Sequence, residues 1–148
     1  KLQTFVPIQD YQIDYYKNKF LKYINPGFIK CVTDDNDELV AFAITMPSFS
    51  NALKKINGKV DFFGKLRLLH AKNFNHKGSL YLIGVRPDFQ NKGVIAILFN
   101  ELQKFYNKFG ITEVETNPEL IENTAIQQLW KNYENNQHKN RATFTKQI

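Results

Sequence analysis

The sequence predicts a mixed α/β (α+β) fold, a central sheet flanked by helices, and three observations carry that prediction. A turn-forming run, Thr33-Asp34-Asp35-Asn36-Asp37, separates two apolar stretches in the manner of a β-hairpin. A nearly continuous apolar run from Ser79 to Val85 leads through a polar loop into Val94, Leu98, Leu102, Phe105 and Phe109, which recur at helical spacing. Strand and helix signals thus alternate along 148 residues, which is room for one domain, 1–148, with one core.

Taken in order, residues Asp10 to Tyr23 place Ile13, Tyr16, Phe20 and Tyr23 near helical spacing, and Asn25-Pro26-Gly27 stops that helix. Phe28 to Val32 and Leu39 to Met46 are the two half-buried strands of the hairpin. From Pro47 to Asn75 the pattern weakens: short helices fit Asn51 to Ile56 and Phe63 to Ala71, on either side of Asn57-Gly58. This segment reads either as a plain connector or as a surface that shapes a substrate cleft. Ser79 to Val85 has the continuous apolar character of a central strand covered on both faces. Arg86 to Gly93 is a loop, and the helix from Val94 ends at Gly110, the preferred residue after a helix. Ile111 to Thr116 alternates as a strand and Asn117-Pro118 breaks it. Ile126, Leu129, Trp130 and Tyr133 line a last helix, and Arg141 to Ile148 reads as a closing strand.

Composition excludes several classes of function. With 43% hydrophobic and 14% aromatic residues the chain is too apolar to be disordered, and no run approaches the roughly 18 apolar residues of a membrane span. No membrane partner is therefore expected. The first residues, Lys1-Leu2-Gln3, lack an initiator Met and a signal segment, so the chain reads either as processed or, the favoured reading, as the C-terminal part of a longer protein. Cys31 is the single cysteine, which excludes an internal disulfide and a thiolate-rich zinc site and suits a reducing, cytoplasmic setting. His70, His76 and His138 are scattered rather than at metal-ligand spacing, so no metal is expected. The net charge of +6 attracts polyanions in general. It is spread over both halves, however, and the clusters Lys54-Lys55 and His138-Lys139-Asn140-Arg141 read as solvated faces rather than a nucleic-acid footprint.

The most informative unit is the strand, loop and helix from Ser79 to Phe109. A strand that opens through a glycine-containing loop into a helix presents unpaired main-chain N–H groups at the positive end of the helix dipole, where phosphate binds. The candidate donors are the amides of Asn91, Lys92, Gly93, Val94 and Ile95, with Lys92 adding a mobile cation and Gly93 admitting close approach of a ligand. Two or three charge-assisted hydrogen bonds of about 1.5 to 3 kcal/mol each, with burial of an apolar arm, reach the roughly 8 kcal/mol of a micromolar complex. Neither Gly-x-Gly-x-x-Gly nor a loop ending Gly-Lys-Ser/Thr is present, so the nucleotide-binding loops do not apply. Gly84 marks a bulge or a close approach in its strand.

The run Val85-Arg86-Pro87-Asp88-Phe89-Gln90-Asn91-Lys92-Gly93-Val94 resembles the acyl-CoA loop of the GCN5-related N-acetyltransferases, Gln/Arg-x-x-Gly-x-Gly/Ala at the start of the helix after the central strand. Asn123-Thr124-Ala125-Ile126-Gln127-Gln128-Leu129-Trp130 is similar to that family's Asn-x-x-Ala-x-x-Leu-Tyr helix, which lies beside the pantetheine arm. The likeness runs from about Leu39 to the C-terminus and extends to bacterial acetyltransferase-like proteins of no settled function. It implies a mixed, mostly antiparallel central sheet flanked by helices. It also implies acetyl-CoA or another acyl-CoA as co-substrate, and an N-acyltransferase acting on an amine of a small-molecule or amino-acid-like acceptor. On this resemblance Ile83, Gly84 and Val85 position the thioester through main-chain bonds, a backbone N–H near Val85 stabilises the oxyanion, and Gln90 to Ile95 hold the pyrophosphate. Asn123 is a cofactor contact or simply the cap of its helix.

Two positions depart from the family pattern. Ile95 replaces the second Gly or Ala, keeping the amide but adding a branched side chain, and Trp130 replaces a Tyr that protonates the departing sulfur. An indole N–H is no acid, so Tyr133, three residues on, is the candidate substitute and Glu115 the candidate base. These departures also motivate an alternative, a degenerate member that binds acyl-CoA as a sensor or scaffold. A basic domain binding RNA or protein is the third reading.

Overall fold

The structure, a computed structural model, describes residues 7–19 and 24–146, and the chain divides into two compact units, Lys1–Glu115 and Thr116–Ile148. In the first, helix α1 (Asp10–Lys19) has none of its residues buried, and the last residues of the expected helix, 20–23, lie outside the described residues. Asn25 then caps a single 3-10 turn, Pro26–Phe28, by accepting the Gly27 N–H at 2.9 Å.

Strands β1 (Ile29–Thr33) and β2 (Leu39–Pro47) form the expected antiparallel hairpin. Its turn is built by Asp34, whose carboxylate Oδ1 accepts the N–H groups of Asn36 and Glu38 at 3.0 Å each, while Asp37 takes a left-handed φ of 60°. Helices α2 (Ser50–Ile56) and α3 (Phe62–Asn73) follow, where the sequence pattern was weak. Asn57, at φ 48°, ends α2, and Asp61 starts α3 by accepting the Gly64 N–H at 2.7 Å. Strand β3 (Lys77–Val85) pairs antiparallel with β2, helix α4 (Val94–Phe109) crosses over, and β4 (Glu113–Thr116) completes the order β1-β2-β3-β4. Thr112 and Glu113 donate their N–H groups to the His76 carbonyl, and Lys77 pairs with Glu113, so β4 starts beside the start of β3 and the sheet is mixed.

The strand buried along its length is β2 rather than β3. Val40, Ala41, Ala43 and Thr45 are all buried, because β2 has a strand on each side and α4 against one face. Helix α4 contributes Val94, Leu98, Leu102 and Tyr106 at i, i+4, i+8 and i+12, with Leu98 and Leu102 fully enclosed. Phe105 and Phe109 stand to one side of that stripe, where Phe105 meets the Phe28 ring edge-on at 4.9 Å. After Gly110, the Ile111 N–H reaches back to the Tyr106 carbonyl at 2.9 Å and the Ile111 side chain is buried, which closes the helix.

In the second unit, helix α5 (Thr124–Trp130) is shorter than its apolar stripe suggested: it stops at Trp130, and Tyr133 sits in the turn beyond it. The closing strand from Arg141 is not formed over 141–146, and its last two residues lie outside the described ones. Residues 131–146 are all exposed, and an unpaired strand has no partner for its main-chain groups.

Candidate functional site

The loop between β3 and α4 is where structure and sequence motif meet. Strand β3 has nine residues and β4 only four, so β4 is too short to flank all of β3, and among the described residues no other strand of the sheet lies on that side. Tyr81 and Leu82 are exposed there, Leu82 by 57%, and Ile83, Gly84 and Val85 are half-buried. The expected coverage of β3 on both faces is therefore absent at this end, and the apolar run lines open strand. The β2–β3 register slips between Ile44 and Thr45, leaving Tyr81 as the extra residue of a bulge. Gly84 is not the bulged residue. It faces Phe42 across the pair, and a Cβ there would stand 2.7 Å from that ring, so its role is close packing.

At the end of β3 the Arg86 N–H donates to the Val40 carbonyl at 2.8 Å, and Pro87–Phe89 make one 3-10 turn. Asn91 and Gly93 then turn the chain with positive φ values of 61° and 76°, and Gly93 occupies the cap position of α4 without any side-chain cap. Nothing lies within 4 Å of where a Gly93 Cβ would be, so the approach to the helix start is open. Among the described residues the main-chain N–H groups of Asn91, Gly93, Val94 and Ile95 have no acceptor within the chain. The Lys92 N–H differs from expectation: it donates to the Phe89 carbonyl at 3.4 Å, closing the turn, while its ammonium lies 5.2 Å from the Phe89 ring. Four of the five expected donors are thus unpaired at the positive end of a sixteen-residue helix. Gln90 is exposed beside them, and the Ile95 side chain is half-buried.

Sequence reasoning missed Arg86. Its guanidinium reaches Asp88 at 2.9 Å, Glu38 at 3.2 Å and Asp34 at 3.3 Å, and rests 4.6 Å from the centre of the Phe89 ring. It therefore ties the β1–β2 turn to the loop before α4. Main-chain donation from Glu38, with help from Arg86, holds the Asp34 carboxyl below the usual aspartate range, and the Arg86 hydrogen bond does the same for Asp88. The signal available in the sequence was the acid-rich turn itself, which has several carboxylates and no cation of its own.

Glu115 is half-buried in β4 at the end of the first unit. Asn123 and Tyr133 belong to the second. Asn123 holds the cap position of α5 but makes no side-chain cap bond, so the simple capping role is not realised. The Trp130 indole N–H donates to Glu119 at 2.8 Å, and the Tyr133 ring lies 6.4 Å from that of Trp130. Because α5 ends before it, Tyr133 does not continue the helical face of Trp130. His70 stacks on Phe74 at 5.3 Å, and no group of three metal-ligating side chains occurs among the described residues.

Comparison with solved structures agrees with this arrangement. The chain is similar to the aminoglycoside 6'-N-acetyltransferase AAC(6')-Ig from Acinetobacter haemolyticus, with a TM-score of 0.58 and 14% identity over 97% of this chain and 85% of that one. It is similar to AAC(6')-Iy, solved with a bisubstrate analogue joining CoA to monomethyl-acetylneamine (TM-score 0.57, 16% identity, 99% and 86% covered). It is also similar to the ribosomal-protein-alanine N-acetyltransferase of Brucella melitensis biovar Abortus 2308 (TM-score 0.52, 15% identity, 88% and 80% covered). At these identities the likeness is one of fold. No curated protein sequence matches the chain. The family model described as "Acetyltransferase (GNAT) family" matches residues 2–133, from before α1 to Tyr133 and so across the open strand, the glycine loop and α4: the chain belongs to the GNAT acetyltransferase family.

Proposed function

We propose that this chain transfers an acetyl or other acyl group from acyl-CoA to an amine of a small-molecule or amino-acid-like acceptor. One observation carries the reading: unpaired N–H groups at Asn91, Gly93, Val94 and Ile95 stand at the start of α4, directly after the open half of β3. The pyrophosphate of CoA matches those donors in charge, and the apolar, partly exposed Leu82 to Val85 segment suits the pantetheine arm that follows. Here Ile83, Gly84 and Val85 hold the thioester, and Gln90, Asn91, Lys92, Gly93, Val94 and Ile95 hold the phosphates. Asn123 joins the cofactor contacts on its motif alone.

Chemically, the acceptor nitrogen forms a bond to the thioester carbon, the carbon–sulfur bond breaks, and CoA leaves as thiol. A backbone N–H near Val85 meets the oxygen that becomes negative on the way. Glu115 takes the proton that the nitrogen gives up, directly or through water, and Tyr133 supplies one to the sulfur. A thiol with pKa about 8.5 leaves tolerably as thiolate, so the loss of an acid is the milder defect. The acceptors named for the similar structures include aminoglycosides, which places a polyamine first in an acceptor panel without assigning it to this chain.

The test has two steps. Calorimetric titration with CoA gives binding in the micromolar range and raises the melting temperature, and Gly93→Asp abolishes both. No heat and no shift at millimolar CoA sinks the reading. Thiol release from acetyl-CoA across an amine panel then measures turnover: Glu115→Gln lowers it about 100-fold, and Tyr133→Phe lowers it less. Binding without turnover on any amine supports the second reading, a CoA-binding sensor or scaffold, which is favoured by Trp130 standing at the acid's place with its only proton donated to Glu119.

A further inference from the structure

The paired helices α2 and α3 present an outer face that the acyltransferase reading leaves unused. Along α3, Phe62, Leu66 and Leu69 fall at i, i+4 and i+7, on one stripe, and are exposed by 70%, 48% and 55%. Phe63 stands beside that stripe, equally exposed, its ring edge-on to Phe62 at 5.7 Å. The opposite side of the helix is the inward one, where Gly64 is buried and Leu68 and Ala71 are half-buried. An apolar stripe facing water on a helix whose other side is already packed has no role in the core.

Charge gives the stripe its partner. Residues 50–73, the two helices and the turn between them, carry six Lys or Arg against the single Asp61, a net charge of +5. Helical spacing places Lys65 and Lys72, both exposed, on one flank of the stripe; Arg67, on the other, donates to the Lys55 carbonyl at 3.4 Å, and Lys54 and Lys55 are exposed on α2. Apolar side chains flanked by cations match an interface that is oily within and negative at its rim.

We propose that the outer face of α2 and α3 rests on the surface of an anionic phospholipid bilayer, with Phe62, Phe63, Leu66 and Leu69 among the acyl chains and the flanking cations at the headgroups. No helix of the described residues can cross a membrane, but lying in the interface plane needs only one apolar stripe. A single-stranded nucleic acid would use the same cations and stack bases on Phe62 and Phe63, yet it would leave Leu66 and Leu69 in water, where acyl chains would cover them. Nor does a stripe of outward-standing side chains form the groove in which a peptide docks.

Flotation of the chain with vesicles tests this. Binding is expected to phosphatidylcholine vesicles containing about 30% phosphatidylserine and not to phosphatidylcholine alone, and it weakens as salt rises from roughly 0.1 to 1 M. Lys65→Gln/Lys72→Gln lowers partitioning about 25-fold, roughly fivefold for each cation. Phe62→Ser/Phe63→Ser lowers it at least as much, with melting temperature and circular dichroism unchanged in both variants. Absence of binding to anionic vesicles at low salt overturns the proposal, as does equal binding to neutral ones. Loss with the lysine pair but not the phenylalanine pair also overturns it, leaving general attraction to polyanions such as nucleic acid. So does capture by polyglutamate with no vesicle binding, which would give the face to an acidic protein.

Discussion

The segments Ser79 to Phe109 and Ser50 to Asn73 are both rich in apolar side chains, and they place them in opposite ways. In the first, α4 turns Val94, Leu98 and Leu102 inward and leaves its polar main-chain end bare. In the second, Asn57 caps the end of α2 and Asp61 the start of α3, and it is the phenylalanines and leucines of α3 that stand bare. Exposed polar groups suit a small charged ligand, held by a few directed bonds, whereas exposed apolar side chains between cations suit an extended surface. On the two proposals made above, the contrast is that between a site for a molecule and a site for an interface.

The difference predicts how each segment responds to substitution. The largest effect is in the packed helix: Leu98→Ala, at a fully enclosed position, lowers unfolding free energy by about 3 kcal/mol, measurable by urea denaturation. Next comes the strand that leads into the loop. Gly84→Ala brings a methyl against Phe42 and costs about 1 to 2 kcal/mol, and pairing it with Phe42→Leu restores most of that loss in a double-mutant cycle, because the ring is what the methyl meets.

A smaller effect follows from the Arg86 tie. Arg86→Gln lowers melting temperature modestly and weakens CoA binding more than it alters the fold, since it frees the loop from the Asp34 turn. That tie also depends on pH. The Asp34 and Asp88 carboxyls are held below their ordinary range in the folded state, so their contribution is complete above the ordinary aspartate range and is lost as pH falls through the lowered values. Acid melting curves of the parent and of Arg86→Gln therefore converge at low pH; curves that stay parallel break this account. The smallest effect belongs to the outer face of α3, where Phe62→Ser/Phe63→Ser changes stability by no more than about 0.5 kcal/mol. A large loss there would show those rings to be core after all.

Much of this was legible in advance, for reasons that differ by element. The hairpin was readable because Asp34 to Asp37 carry the chemistry of a tight turn, and α4 because a single inward stripe repeats for four turns before Gly110. The bare amides before α4 were readable because a glycine at a helix start supplies no side-chain cap for them. The second unit was less so: Tyr133 continues a helical apolar spacing, yet α5 ends at Trp130 after seven residues, a length at which helix propensity alone is marginal. In α3 both sides are apolar, so no periodic stripe distinguished inside from outside.

The sequence by itself determined the kinds of element up to the last helix, their order and the loop that resembles the family's, because turn chemistry, helix periodicity and glycine placement are local properties of the chain; it did not determine the closing strand, which is not formed over 141–146. Tertiary structure alone decided which strand is buried and which stands open, where the bulge falls, and that Arg86 fastens two loops fifty residues apart in the chain. Those depend on which groups meet across the sheet, and pairing between distant residues leaves no periodic trace in the residues themselves.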